Sequence, residues 1–294
     1  MKKWWMGLVI LIILGYGAAQ YKPKVDPAQV SVEDFQAQDK VPRENGLSIR
    51  ITQDQIYKGN LLLVNKDHPV PPEAEASGAV NLSKHLELVN GFVLLDNSIR
   101  LSPNLAQTFS TMIEAAKLDG VNRFMISSGY RDEKEQSALY KKMGPDYAMP
   151  AGYSEHNLGL SLDIGSTRGK MEHAAEGKWL QDNAWKYGFI VRYPEDKTAI
   201  TGIRNEPWHF RYVGLPHSAI MEEKAFVLEE YLDFLKVQKS IKTTIDDQVY
   251  EVFYYPVSHN TTVHVPAKGR YEISGNNIDG VIVTVEEIPE EGNE

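Results

Sequence analysis

The feature that most limits what this chain can become is a change of texture at Gln238. Upstream, segments with apolar residues at helical spacing alternate with short apolar runs. Ser102-Pro103 opens one such segment, with Ser102 as N-cap and Pro103 at the first helical position. Leu105, Phe109, Met112, Ile113 and Ala116 then recur along one face until Gly120 closes it. Phe124-Met125-Ile126-Ser127-Ser128 reads as a buried strand, and Asp132 with Glu135 as a capping-box pair opening a short helix. Trp179, Leu180, Ala184 and Tyr187 form a further helical face, stopped by Gly188. Strands are expected over residues 60–65, 189–193 and 209–213, and a long helix after Pro216. Downstream of Gln238, Val249, Val252, Phe253, Tyr255, Val263, Val265, Ile273, Val281 and Val283 sit in short segments. Asp246-Asp247, Pro256, Lys268-Gly269 and Gly275-Asn276-Asn277 separate them, which is strand-and-turn grammar. The expected fold is therefore α+β: a small antiparallel sheet with surrounding helices over 60–238, then a small β-rich accessory module over 239–294.

Lys2 and Lys3 precede an apolar run over 4–19, followed by Gln20-Tyr21-Lys22-Pro23. A basic flank before an apolar stretch is the pattern of an export signal. The run is short against the roughly 20 residues of a full span, and Gly17 and Ala19 are small enough for a cleavage site. Residues 1–22 thus read as a membrane anchor or signal segment. The rest of the chain is expected on the extracytoplasmic face, held by a single anchor or released by cleavage. Residues 23–59 are polar, with Pro23, Pro27 and Pro42, and read as a tether. A net charge of −9 excludes nucleic acid as partner, because phosphate neutralisation needs clustered Lys and Arg. With no cysteine, disulfides, thiolate metal sites and cysteine nucleophiles are excluded together.

Eight histidines remain as candidate ligands, and two keep unusual company. His156, in Ser154-Glu155-His156-Asn157, lies seven residues before Asp163 in Gly159-Leu160-Ser161-Leu162-Asp163. Glu206-Pro207-Trp208-His209 places a carboxylate three residues before the second. Two neutral imidazoles and one carboxylate are a common catalytic zinc set with a fourth position left for water. Such an ion acidifies water and polarises a carbonyl, and a carboxylate that does not bind it, here Glu206, can carry the proton to the leaving amine. Plainer readings stand beside this one. Asp163 could cap a turn, and Glu206 could pair with an arginine. Pro207 also disfavours a helical Glu206. In an ideal strand Glu206 and His209 face opposite ways, so their convergence needs a turn or bulge.

The ordered series Ser128-Gly129-Tyr130-Arg131, Ser154-Glu155-His156, Gly159-Leu160-Ser161-Leu162-Asp163 and Glu206-Pro207-Trp208-His209 resembles the zinc D,D-carboxypeptidases of the VanY type. Tyr187-Gly188-Phe189-Ile190, Arg192-Tyr193-Pro194 and Thr201-Gly202-Ile203 extend the likeness over roughly 60–235. The resemblance implies that His156, Asp163 and His209 bind Zn2+, that Glu206 is the catalytic base, and that Arg131 lies in the active site. That arginine can pair with the terminal carboxylate or stabilise the tetrahedral oxyanion; the family favours contact with the scissile carbonyl. Gln136 and Ser154 are expected polar contacts to the substrate carboxylate. Tyr153 and Trp208 are candidates for lining the cleft, with packing the first reading for Trp208. The implied substrate is a peptidoglycan precursor peptide ending in D-Ala-D-Ala, and its trimming lowers glycopeptide antibiotic sensitivity.

The serine route to the same chemistry needs Ser-x-x-Lys and Lys-Thr-Gly, and neither occurs. Alternatives kept open are an L,D-carboxypeptidase trimming tetrapeptide stems and a catalytically silent cell-wall-binding module. A D,D-dipeptidase is disfavoured, since no added acidic residue marks a grip on a free amine.

Overall fold

The computed structural model describes residues 30–34, 46–72, 78–145, 148–267 and 269–288. The apolar run over 4–19, and with it the expected anchor or signal over 1–22, lies outside the described residues. The elements begin with β1 (Val30–Asp34), β2 (Gly46–Ile51), β3 (Val80–Asn81), β4 (Phe92–Leu94), β5 (Arg100–Leu101), α1 (Pro103–Leu118), β6 (Phe124–Ser128) and α2 (Glu133–Met143). Next come β7 (Ser161–Ser166), α3 (Ala175–Asn183), β8 (Phe189–Val191), β9 (His209–Tyr212), α4 (His217–Glu223) and α5 (Leu228–Gln238). Last are β10 (Ser240–Ile245), β11 (Gln248–Pro256), β12 (Thr261–Pro266), β13 (Arg270–Gly275) and β14 (Gly280–Glu286).

The first sheet runs β4-β6-β7-β9-β8. It is mixed rather than purely antiparallel, because β4 lies parallel to β6 while the other three pairings are antiparallel. α1 starts as its sequence demands: the Ser102 hydroxyl accepts from Leu105 N, and Pro103 occupies the first turn. Its apolar face is buried, with Phe109, Met112 and Ile113 fully so. Each such side chain is worth about 1.5–3 kcal/mol relative to exposure. The Phe109 ring meets Phe92 and Phe189 edge to face, at 4.9 and 6.5 Å between centroids. From α3, Trp179 packs on Phe124 and donates its indole N–H to Asp119 Oδ2 at 2.8 Å. The helix expected after Pro216 is two, α4 and α5, because Ala225 takes a left-handed φ of 51° between them. Glu230 then caps the second by accepting from Val227 N.

The second sheet runs β1-β10-β11-β14-β13, with a two-stranded ribbon of β12 and β2 beside it. β10 and β11 join through Asp246-Asp247, both at positive φ, in a two-residue hairpin with Ile245 opposite Gln248. β1 and β2 come from the stretch read as a tether over 23–59 and complete this module, so that reading is corrected over 30–34 and 46–51. Alternation explains the incorporation: Ile49 and Ile51 are buried with Phe253, Val263, Val265 and Val283. The module also shares a core with the rest of the chain, where Leu61, Leu63, Ile220, Leu228, Tyr231 and Leu235 pack with Val252, Tyr254 and Ile282.

The run Asn60-Leu61-Leu62-Leu63-Val64-Asn65, expected as a strand, is a buried strap with no ladder partner strand among the described residues. Its backbone groups are taken singly instead. Leu61 N donates to Ser274 Oγ at 2.8 Å and Leu63 N to Asn276 O at 3.2 Å. Asn277 Nδ2 donates to Leu63 O and Pro69 O, both at 2.8 Å. Just before it, Gly275 passes so close that a Cβ there would sit 2.0 Å from Ile56 O. At its far end, Val70 N donates to Gly152 O at 2.7 Å, beside the Ser154-Glu155-His156 segment.

Candidate active site

Three neighbouring strands put the chemistry in one row. Ser128 on β6 stands opposite Asp163 on β7, and Asp163 stands opposite His209 on β9. The β6–β7 register slips between Ile126 and Ser128, a bulge that leaves Ser127 Oγ donating to Asp163 O at 3.2 Å. His156 reaches the row from a short turn of helix over Glu155–Asn157, with Ser154 Oγ accepting from His156 N. This turn is locked to the Arg131 segment from both sides: Arg131 N donates to His156 O, and Asn157 Nδ2 to Arg131 O, at 3.2 and 2.7 Å. Gly129 is needed where it stands, since a Cβ would meet Arg100 O at 2.2 Å. Its carbonyl accepts from His156 Nδ1 at 2.7 Å. That bond fixes the proton on Nδ1 and leaves the Nε2 lone pair facing the row.

The turn that the sequence required between Glu206 and His209 is present, closed by His209 N donating to Glu206 O at 3.0 Å. It brings Glu206 Oε2 to 3.7 Å from His209 Nδ1. Asp163 lies between the imidazoles, with Oδ2 3.4 Å from His156 Nε2 and Oδ1 3.2 Å from His209 Nδ1. Neither approach is a hydrogen bond, and Asp163 Oδ1 is a buried polar atom without a partner. The ligand atoms of the three residues all lie within 4.8 Å of one another. Donors about 2.0–2.1 Å from one tetrahedral ion stand about 3.3 Å apart, so both Asp163 separations fit a shared cation. The donor set of two imidazoles and a carboxylate suits zinc.

Electrostatics point the same way. Burial would raise the Asp163 pKa, but the two histidines outweigh it and hold the carboxyl well below its usual range. Burial opposes a charge on His209, yet the Asp163 and Glu155 carboxylates on either side of the ring push it up to about 9. The pocket therefore favours a cation at this point, proton or metal. Glu206 moves the other way: burial and the nearby Asp163 charge raise it above the ordinary carboxylate, against the pull of His209 and Arg131. A raised carboxyl is better matched to accepting and returning a proton near neutral pH.

Arg131 faces the row, with Nη1 3.9 Å from Asp163 Oδ2. It donates through Nη1 to Ser128 Oγ at 2.5 Å and through Nε to Gln136 Oε1 at 2.8 Å. Gln136 in turn donates Nε2 to Met149 O at 2.6 Å and is 1 % exposed. It braces the arginine; Ser154 is likewise buried at the turn. Trp208, next to His209, is 37 % exposed. His68, His85, His173, His259 and His264 stay apart from this cluster, and His217 is buried elsewhere, between Tyr231 and Thr284.

Sequence reasoning gave no role to Glu155, Arg192 or Arg211. Glu155 is buried, and its Oε1 accepts from Arg192 Nε at 2.8 Å and Arg211 Nη1 at 2.7 Å. Its Oε2 accepts from Ser161 Oγ at 3.0 Å and lies 3.5 Å from His209 Nε2. Burial resists the negative charge, but the two guanidiniums hold the Glu155 pKa well below normal. Glu229 closes the network with a bidentate pair on Arg192 at 2.8 and 2.7 Å. A signal existed: Arg192 and Arg211 each interrupt an otherwise apolar run, and a charge in a buried strand must find a partner.

Comparison with known proteins agrees with this geometry. The family model "VanY: D-alanyl-D-alanine carboxypeptidase" matches residues 98–215, which contain every residue of the row. An Enterococcus faecium D-alanyl-D-alanine carboxypeptidase is 58% identical over 287 residues, covering 95% of this chain and 93% of that one. The crystal structure of the D,D-dipeptidase VanXYg in complex with a D-Ala-D-Ala phosphinate analogue is 34% identical. It superposes with a TM-score of 0.71 over 82% of this chain and 99% of that one. The LdcB LD-carboxypeptidase, 32% identical, gives 0.52 over 62% and 88%. With 93% of the Enterococcus faecium carboxypeptidase covered at 58% identity, the chain belongs to the VanY family of D-alanyl-D-alanine carboxypeptidases.

Proposed function

We propose that the protein is a zinc-dependent D,D-carboxypeptidase that removes the last D-residue from peptidoglycan precursor peptides ending in D-Ala-D-Ala. Loss of those ends lowers sensitivity to glycopeptide antibiotics. The observation that carries the reading is Glu206, held 3.7 Å from His209 Nδ1 beside the His156–Asp163–His209 set. Those three side chains hold the ion, which supplies Lewis acidity to the scissile carbonyl and to the attacking water. Glu206 takes the water proton and returns it to the leaving amine. Arg131, fixed by Ser128 and Gln136, directs its remaining N–H groups to the carbonyl oxygen as negative charge develops. The Ser154 hydroxyl and the second Gln136 N–H are assigned to the terminal carboxylate. Export through residues 1–22 places this chemistry outside the membrane, on one anchor or free of it, where the precursors are used.

An L,D-carboxypeptidase is the second reading, supported by the likeness to LdcB. Incubation of the purified protein with a D-Ala-D-Ala pentapeptide and its L,D-tetrapeptide counterpart, with zinc or chelator, separates them. The expected outcome is D-Ala release from the pentapeptide, stopped by chelator and indifferent to β-lactams. Glu206→Ala should lower kcat by about 10²–10⁴ with metal content unchanged. Turnover of the tetrapeptide alone, or chelator-resistant turnover blocked by penicillin, would overturn the proposal.

A further inference from the structure

We infer that Glu155 is the positioning carboxylate of His209, with the buried Arg192–Arg211 pair holding it in place for that purpose. This rests on His209 being a metal ligand through Nδ1, the nitrogen that faces Asp163 Oδ1 at 3.2 Å and Glu206 Oε2 at 3.7 Å. The other ring nitrogen then carries the proton. His209 Nε2 is buried and, in the described residues, has no protein hydrogen bond. The polar group it points at is Glu155 Oε2, 3.5 Å away.

The acceptor geometry of Glu155 shows why that direction is left open. A carboxylate accepts about four hydrogen bonds. Arg192 Nε and Arg211 Nη1 take both positions on Oε1, and Ser161 Oγ takes one on Oε2. The remaining lone pair on Oε2 is directed to His209. Two guanidiniums and one hydroxyl grip the buried carboxylate, and these three donors keep it from rotating. The two imidazoles of the site are thereby set in opposite tautomers by different means. His156 gives Nδ1–H to a neutral backbone carbonyl at Gly129, whereas His209 turns Nε2 toward the Glu155 carboxylate, 3.5 Å away. Orienting partners of ligating histidines are typically worth 10–100-fold in metal affinity. Arg211 carries the arrangement further, because its Nη2 donates to Asn60 O and Leu62 O, both at 2.9 Å. The strap is therefore the outer wall of the same device.

The test compares Glu155→Gln, Glu155→Asp and Glu229→Gln with the parent protein. Zinc affinity is measured by chelator competition, and the visible spectrum after cobalt substitution reports the ligand field. Glu155→Asp keeps the charge that Arg192 and Arg211 require but withdraws the carboxylate by one methylene, so it carries the test even if Glu155→Gln does not fold. Glu229→Gln injures the same buried network on the side away from His209. The expected result is zinc binding about 10–100-fold weaker in both Glu155 variants, with an altered cobalt spectrum, and parent-like values for Glu229→Gln. Equal losses in Glu155→Asp and Glu229→Gln, or parent affinity in Glu155→Asp, would overturn the inference while leaving the proposed reaction standing. A parent protein that binds no zinc would overturn both.

Discussion

At the scale of single residues, Arg131 is the side chain whose use depends most on its neighbours. Ser128 and Gln136 hold two of its nitrogens, and Met149 O anchors Gln136 in turn. A guanidinium aimed at developing charge loses most of its value when it drifts by an ångström. Gln136→Leu should therefore lower kcat by about 10²-fold while leaving bound zinc per chain unchanged, as turnover and metal analysis would show. Unchanged kcat would mean that Gln136 does not set the arginine. Spacing offered His156, Asp163, Glu206 and His209 only as candidates beside plainer readings, and the roles of these residues and of Arg131 came from the ordered motifs' resemblance to the VanY type. The role of Glu155 was not legible in sequence. Its partners stand 37 and 56 residues away along the chain, and local spacing holds no record of such pairings.

At the scale of elements, α1, β6 and the capped start of α2 were legible to within a residue or two, because periodicity and caps are local properties. The strap over 60–65 was not. Its apolar run is the same whether its backbone bonds go to a ladder or to scattered side chains of Ser274, Asn277 and Arg211. α4 and α5 bring another hidden contact, His217, whose ring nitrogens meet Tyr231 Oη at 2.7 Å and Thr284 Oγ1 at 3.0 Å. Complete burial pushes the His217 pKa down to about 3. Because the folded value lies below the unfolded one, near 6.5, the unfolded chain binds the extra proton. The stability tied to neutral His217 is fully present above that unfolded value and is lost as pH falls below it. Between pH 6.5 and 5 the parent should lose about 2 kcal/mol more than His217→Gln, read from urea midpoints at the two pH values. Parallel pH profiles would show that His217 is not held neutral.

At the scale of the whole molecule, the boundary drawn at 238/239 follows the texture of the sequence but not the division of the core. Leu61, Leu63 and the helices α4 and α5 share one apolar cluster with β10, β11 and β14, while β1 and β2 complete the module from the other end of the chain. Pairing between distant segments leaves no periodic trace, so a tether and a strand of equal polarity look alike until their partners are known. A chain ending at Gln238 should accordingly show no cooperative melt and no zinc binding, by circular dichroism and metal analysis. A stable, metal-binding fragment would restore the module to an accessory. Leu61 and the Ser274 hydroxyl it relies on are 213 residues apart, and synthesis runs from the amino end. Every ligand of the row has left the ribosome before the residues that brace the strap are made. The truncated chain is a snapshot of that interval, when the nascent polypeptide owns its whole catalytic set and cannot yet aim it. An enzyme assembled this way is expected to gain its activity only after the chain through Asn277 has been made.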